Sequence, residues 1–425
     1  MGNFMATHNQ IAVSANTKET AINTEQTLDT TIPFAIGDVI DLEPRRESNE
    51  GEATGYEEPD AIYDLGAKAK ATLNAEKAQP QHFGFIGAYG LGGVAVAAAG
   101  TGYEHTLTPI SGEEDEDRSN PSFSAAQRYG LTVLKRLFAS MFVNSFTATF
   151  ARDEWVKLTA EVLGTGKVTN NVTEETVNAL DDATSLTLAA NAVEGADAAE
   201  RLQNIQRIRI ALASGVWTEV AYSAVSAATP AVITITSAGG ASALKDYKIL
   251  YIPTEAGWMT FPAKVTETPL RVAELTFKIG GTWSGSAFGG GRELNAEIKS
   301  IEWAFNNNGE VQFVPGAGGD YAARYMRGGR TQTLKLDREF RDYILQQHID
   351  DNDTFGVYIL AEGAIFDSPH KYQVEVIFPS VGILTAPLSV DGKRLGEAGD
   401  LQVLEDDTYG SVIMNVKNLQ ATYAA

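Results

Sequence analysis

The chain of 425 residues has no cysteine and carries 33 Lys and Arg against 55 Asp and Glu, a formal net charge of −22. That length supports two or three domains, each burying its own core. The missing Cys excludes disulfides, thiolate catalysis and Cys-ligated zinc. The acidic balance excludes a protein that grips nucleic acid, because phosphate binding needs clustered Lys and Arg. It suits a merely soluble surface, or a wall past which phosphates slide without sticking.

No apolar run approaches the ~18 residues of a membrane span; the longest, Gly90 to Ala99, is short and rich in Ala and Gly. Gly2 is followed by Ala6 where a myristoylation signal has Ser or Thr, and no signal-peptide pattern follows. The expectation is a soluble, unprocessed chain without a membrane partner.

The first 35 residues are polar and rich in Thr and Asn, which predicts an arm or edge segment. Ile36 to Leu42 alternates as a strand, and Glu43 to Asp60, with no apolar face, reads as a long exposed loop. Gly66 to Leu73 is a strand. A helix is expected from Pro80 to about Gly90, with Phe83, Ile86 and Tyr89 on one side. Strands follow at Val94 to Gly100, Tyr103 to Pro109 and Asn120 to Ser124, and a hairpin spans Ser145 to Leu163. From Gly164 to Gly257 the composition shifts to Thr, Ala and Val. Strand-like segments there (Thr184–Ala190, Ile205–Ala213, Val216–Val225, Val232–Ser237, Tyr247–Pro253) predict a small Ig-like β-sandwich. The remainder repeats the first pattern: a Gly-rich loop from Asn306 to Gly329, a strand to Leu336, and a helix capped by Asp337 with Phe340, Tyr343 and Ile344 as its buried stripe. A strand at Val357 to Gly363 and a closing hairpin at Asp400 to Asn418 complete it.

Residues 66–100 lie over 329–363 in a fixed register of 263 residues, with identities at Gly66/Gly329, Leu73/Leu336, Glu76/Glu339, Ile86/Ile349, Gly93/Gly356, Val94/Val357, Ala98/Ala361 and Gly100/Gly363. Ile40 and Leu42 fall over Trp303 and Phe305 at the same offset. The organisation expected is a first β fold over 1–163, an accessory β domain over 164–257 and a second copy of the first fold over 258–425. A duplicated fold gives the subunit internal pseudo-symmetry, which matters most in a protein that builds a ring.

Nothing in the chain forms a catalytic set. The Gly84–Gly93 stretch lacks the Lys-Ser/Thr of a phosphate loop and reads as close backbone packing. The acidic runs Glu113–Asp117 and Asp350–Asp353 lack the alternating ligands of a calcium loop. The histidines at 8, 82, 105, 348 and 370 show no metal spacing, and His105 reads as a hydrogen-bonded or surface strand residue. No cofactor, metal or enzyme activity is expected.

The Glu-Pro-Arg-Arg-Glu-Ser segment (Glu43 to Ser48), the Gly66–Leu73 strand leading into a helix, the Tyr103–Pro109 strand, Asn120–Ser124, Phe378-Pro379 and the Leu401–Asn418 segment together resemble the tail tube proteins of long-tailed (siphovirus-type) bacteriophages. The resemblance covers both copies and not the accessory domain. It implies a mainly β chain with two tandem tube-like sandwich or barrel folds, each with one flanking helix. It further implies homotrimers that imitate hexameric rings and stack into a virion tail tube, assembled in the host cytoplasm, with tape measure, tail terminator and distal tail proteins as partners. DNA would pass through an acidic lumen without specific binding. On that reading Asp153, Glu154, Glu405, Asp406 and Asp407, at hairpin tips, are candidate lumen charges. Arg45, Arg46, Glu47, Glu57, Glu58, Arg324 and Arg327 are candidate ring-stacking residues. The competing expectation is an acidic all-β adhesin or capsid decoration protein.

Overall fold

The structure is a computed structural model that describes residues 7, 9–53, 55–110, 120–129, 134–213, 215–240, 242–254, 260–316, 319–391 and 393–425. His8 and the acidic run Glu113–Asp117 lie outside them. The chain is mainly β, in large antiparallel sheets, and divides into two compact units. The larger takes the described residues of Gln10–Ala125, Phe138–Lys167 and Pro262–Ala425; the smaller takes those of Met1–Asn9, Ala126–Leu137 and Val168–Phe261.

In chain order, β1 (Gln10–Val13) pairs with β2 (Thr30–Ile32), and β3 (Ile40–Ser48) forms a long hairpin with β4 (Ile62–Ala75). Then come α1 (Pro80–Leu91), β5 (Gly92–Ala99), β6 (Gly102–Pro109), β7 (Phe123–Tyr129), β8 (Leu134–Ala151), β9 (Lys157–Gly164) and β10 (Val168–Asn170). The smaller unit contributes β11 (Thr173–Leu180), β12 (Ser185–Thr187), α2 (Ala198–Gln203), β13 (Ile205–Ala213), β14 (Val216–Glu219), β15 (Tyr222–Val225), β16 (Val232–Ile235) and β17 (Leu244–Tyr251). The larger unit resumes with β18 (Leu275–Trp283), β19 (Phe288–Glu293), β20 (Ile298–Asn306), β21 (Glu310–Gln312), β22 (Arg324–Met326) and β23 (Thr331–Glu339). It ends with α3 (Ile344–Asp351), β24 (Phe355–Asp367), β25 (His370–Thr385), β26 (Leu388–Asp391), β27 (Arg394–Leu404) and β28 (Ile413–Asn418).

The smaller unit packs a four-stranded sheet (β11, β17, β13, β14) and a three-stranded one (β12, β16, β15) around Leu186, Ile208, Ile210, Ile233, Tyr247 and Ile249. Two details depart from expectation. The single strand expected at Val216–Val225 is two, one in each sheet, and β11 was not anticipated because its alternating Glu174, Thr176 and Asn178 masked it.

In the larger unit, hydrogen-bonded neighbours run β3, β4, β9, β8, β20, β23, β27 and then the C-terminal half of β25 with β26. A second run joins β5, β6, β28, the N-terminal half of β25, β24, β18 and β19. Helix α1 is buried on every side, packed on β5, β6 and β28 while reaching β9. An all-round apolar helix must be enclosed. Its glycines permit that: a Cβ on Gly84 would stand 2.5 Å from the Tyr423 ring, and one on Gly87 2.8 Å from Leu107 Cδ1.

One register recurs along the first run. Ile40 faces Ala71 and Leu42 faces Ala69; 263 residues on, Trp303 faces Leu334 and Phe305 faces Gln332. Ala71 and Leu73 face Val162 and Ala160, as Leu334 and Leu336 face Leu401 and Gly399. Even the bulge agrees: β8 slips against β9 between Val143 and Ser145, and β25 slips against β27 between Ile383 and Thr385. Beyond it, Leu388 of β26 faces Glu397 where Ala148 of β8 faces Leu158. Strand for strand, β3, β4, β9 and β8 correspond to β20, β23, β27 and β25–β26.

Three expectations need correction. The segment Asp400–Asn418 does not supply the counterpart of the β8–β9 hairpin: β28 takes its partners from β25 and β6, and the strand matching β8 is β25–β26. The second helix starts only at Ile344, since β23 carries Asp337–Glu339 in its ladder; Leu345 is its buried residue, and Tyr343 is 59% exposed. The strand β3 continues through Glu43–Ser48, so the loop expected from Glu43 begins beyond Ser48.

Candidate functional site

The eight-stranded run has one apolar and one polar face because its strands alternate. Ile40, Ala71, Leu73, Ala160, Val162, Phe146, Phe150, Ile301, Trp303, Leu334, Leu336 and Leu401 are buried. Trp303 anchors this layer with its ring centroid 5.0 Å from Phe146 and 5.4 Å from Phe378, both edge-on. The other face is polar. One cross-strand row reads Lys157, Thr149, Glu302, Lys335, Asp400; another reads Asn74, Thr159, Thr147, Ala304, Thr333, Gln402. Asp41, Glu43, Glu161, Glu302, Asp337 and Asp400 stand there against Lys68, Lys70, Lys157 and Lys335, so the face keeps a net negative sign. Lys70 Nζ lies 2.5 Å from Glu43, and Lys335 Nζ 3.9 Å from Glu302. Exposed pairs of this kind contribute little to stability.

The outer strands of the run differ. At one end is the hairpin β3–β4, whose outer part exposes Ile62, Tyr63 and Leu65 among Arg45, Arg46 and Glu47. At the other end Leu384, Leu388 and Val390 are 64%, 55% and 73% exposed.

The residues nominated from sequence are placed as follows. Asp153 (φ +64) and Glu154 sit in the β8–β9 turn, Glu154 2.6 Å from Lys157 Nζ. Glu405, Asp406 and Asp407 lie in the loop after β27, where Asp406 Oδ1 accepts from the Thr408 and Tyr409 amides at 2.9 Å. These five are therefore at strand ends, with Glu154 joined to the polar face through Lys157. Arg45 lies over the Phe313 ring at 4.7 Å, Arg46 stands 3.6 Å from Asp64, and Glu47, Glu57, Glu58 and Arg324 are exposed. Arg327 is different: it is 7% exposed and donates to the Ile110 carbonyl at 3.2 Å, so burial removes it from a stacking surface. The face charges Glu161, Glu302 and Asp400 were missed, although the signal was present as the polar member of each apolar alternation.

Around α1 several titrations are perturbed by burial. Burial pushes the Glu267 carboxyl up to about 7, with the Gln81 amide donating to it at 2.7 Å. Burial lowers His82 to about 4; its Nδ1 accepts from the Gln79 amide and its Nε2 meets the Pro33 carbonyl at 2.8 Å. His105 is lowered by burial too and bonds the Gln420 carbonyl. Each has structural partners, and among the described residues no group of three His, Asp or Glu side chains gathers as a metal site. No protein-family model matches the chain, and no curated protein does.

Proposed function

We propose that this chain is a structural tube subunit of the phage-tail type, built from two tandem copies of one β fold with a small β domain between them. Copies close side to side into a ring, and rings stack into a tube that DNA traverses. The observation that carries this reading is the eight-stranded run of two register-equivalent halves, apolar on one side and polar and net acidic on the other.

Size favours three copies. Twenty-four strands about 4.8 Å apart and tilted ~40° enclose a backbone cylinder roughly 48 Å across, and side chains of about 5 Å on each wall leave about 38 Å. Two copies would leave only about 22 Å, which barely clears a duplex about 20 Å wide. With the polar face inward, Asp41, Glu43, Glu161, Glu302, Asp337 and Asp400 outweigh Lys68, Lys70, Lys157 and Lys335, so the face repels phosphates on balance. The hairpin tips of β3–β4, with Arg45, Arg46 and Glu47, then contact the next ring.

Concentrated protein viewed by negative-stain microscopy is expected to form rings or stacked tubes with threefold symmetry. A chain that sediments as a monomer at every concentration would falsify the reading. In assembled particles, Glu161→Lys with Glu302→Lys and Asp400→Lys leaves the tube intact and slows DNA passage; unaltered ejection removes these residues from the bore.

A further inference from the structure

The turn that leaves β20 is written Asn307-Asn308-Gly309 and holds the only Asn-Gly pair in the sequence. Packing dictates both residues. Asn308 has φ +48, in the left-handed region where Asn is among the few side chains tolerated. A Cβ on Gly309 would stand 2.5 Å from Cζ of Tyr325, which is 1% exposed and stacked on Phe142 with ring centroids 4.2 Å apart, so only glycine fits there. The fold thus requires, at an exposed turn, the dipeptide most prone to lose its side-chain amide, because glycine leaves its own nitrogen unhindered.

In that reaction the Gly309 amide gives up its proton and its nitrogen attacks Asn308 Cγ. The new N–Cγ bond closes a cyclic imide, the Cγ–Nδ2 bond breaks, and the side-chain amide leaves as ammonia carrying the proton. Water then opens the imide to aspartate or isoaspartate. Each reacting group is held elsewhere. Gly309 donates its N–H to Asn144 Oδ1 at 2.7 Å, and Asn308 donates Nδ2 to the Gly329 carbonyl at 2.5 Å. The Asn308 amide donates to Asn306 Oδ1 at 2.7 Å, and the Asn308 carbonyl accepts from the Gly328 amide at 3.1 Å. Asn144 sits at the bulge of β8 between Val143 and Ser145, and a bulge re-aims its side chain. Its carbonyl also accepts from the Asn307 amide at 2.8 Å, which pins the turn to β8.

We propose that Asn308 is a deamidation site of this chain and that Asn144, from the other half of the eight-stranded run, guards it by engaging the attacking nitrogen. The hydrogen bond at Gly309 must break before its proton can leave and its nitrogen can turn onto Cγ. The amide is therefore lost when the turn lifts off β8, so the state of Asn308 records how long the two halves have been apart at this point. Loss of ammonia makes the change one-way, and isoaspartate lengthens the backbone of a turn whose flanks are pinned.

The full-length protein is aged at mildly alkaline pH, folded and in urea, and deamidation at Asn308 is followed by peptide mass spectrometry with detection of isoaspartate. The folded parent is expected to react about tenfold or more slowly than the unfolded chain, since the turn must first open. Asn144→Ala should speed the folded reaction about fivefold or more, the factor that one hydrogen bond of ordinary net strength gives. Asn144→Asp keeps an acceptor oxygen and should stay near the parent. Equal rates folded and unfolded, an unchanged rate in Asn144→Ala, or equal acceleration in both variants overturns the guard. If Asn144→Ala also lowers the melting temperature, Gly84→Ala is the reference, because it disturbs the Tyr423 contact of α1 and no group of this turn. Acceleration confined to Asn144→Ala then upholds the proposal, while equal acceleration in the two assigns the reaction to general opening and sinks it.

Discussion

Replacing Arg338 by Met tests whether the two register-equivalent halves are interchangeable where they differ most in chemistry. Arg338 is 0% exposed; its Nε donates to Glu397 at 2.8 Å, Nη1 to Glu297 at 3.0 Å and Nη2 to Asp342 at 3.2 Å. Glu397 is equally buried and lies directly opposite it across β23–β27. At the matching place in the other half, Ala75 faces Leu158. Removing the guanidinium alone strands the Glu397 carboxylate, with only the Gln346 amide at 2.9 Å, and is expected to cost about 3–5 kcal/mol. Glu397→Leu alone leaves Arg338 with Glu297 and Asp342 and costs roughly 1–3 kcal/mol. The double variant restores an apolar pair like that of the other half, while Arg292 continues to serve Asp342 at 2.5 Å and Glu297 at 3.4 Å. It should lie within about 2 kcal/mol of the parent, because buried ion pairs are readily replaced by packed hydrophobes. Urea unfolding of the four proteins gives the coupling energy, expected to exceed ~2 kcal/mol. Additive losses would show that the two sites are not equivalent environments.

Two further outcomes follow from the packing around α1. Glu267 has a folded pKa raised to about 7 from 4.5, so its contribution is fully favourable below pH 4.5 and is lost as pH rises through 7. Glu267→Gln should therefore match the parent at pH 4 and exceed it by up to roughly 3 kcal/mol at pH 8; a difference that does not change with pH would refute the assignment. His82, lowered to about 4, acts with the opposite sign: its contribution is present above 6.5 and lost as pH falls through 4, equally in both proteins. Gly84→Ala raises helix propensity by about 1 kcal/mol, yet its Cβ would press on the buried Tyr423 ring at 2.5 Å, so a net loss of about 1–3 kcal/mol is expected. A rise in melting temperature would mean that α1 is not enclosed as described.

Local chemistry made much of this protein legible in its sequence. Pro80 opens α1, and Gly92, at φ +93, closes it in the left-handed region. Alternation placed most strands, and the register of Ile40 and Leu42 over Trp303 and Phe305 is reproduced by their ladder partners. The second helix was misread because Asp337 and Phe340 have helical spacing, while the chain from Thr331 to Glu339 gains more from pairing with β20 and β27.

Alternation assigns a residue to a face and says nothing of which strand lies beside it. The match of Ser145–Leu163 to Asp400–Asn418 failed for that reason: one bulge and the Ala386–Pro387 interruption shift the frame, and cross-strand hydrogen bonds over long separations choose β25–β26 as the partner of β27. The turn-tip acids were visible as charged runs, whereas the polar face is assembled from single residues that adjoin only after eight strands align. Sequence by itself determined which positions are apolar, where the chain turns and that a pattern is written twice. Tertiary structure alone decided which strands meet, because pairing is settled by contacts between residues far apart in the chain.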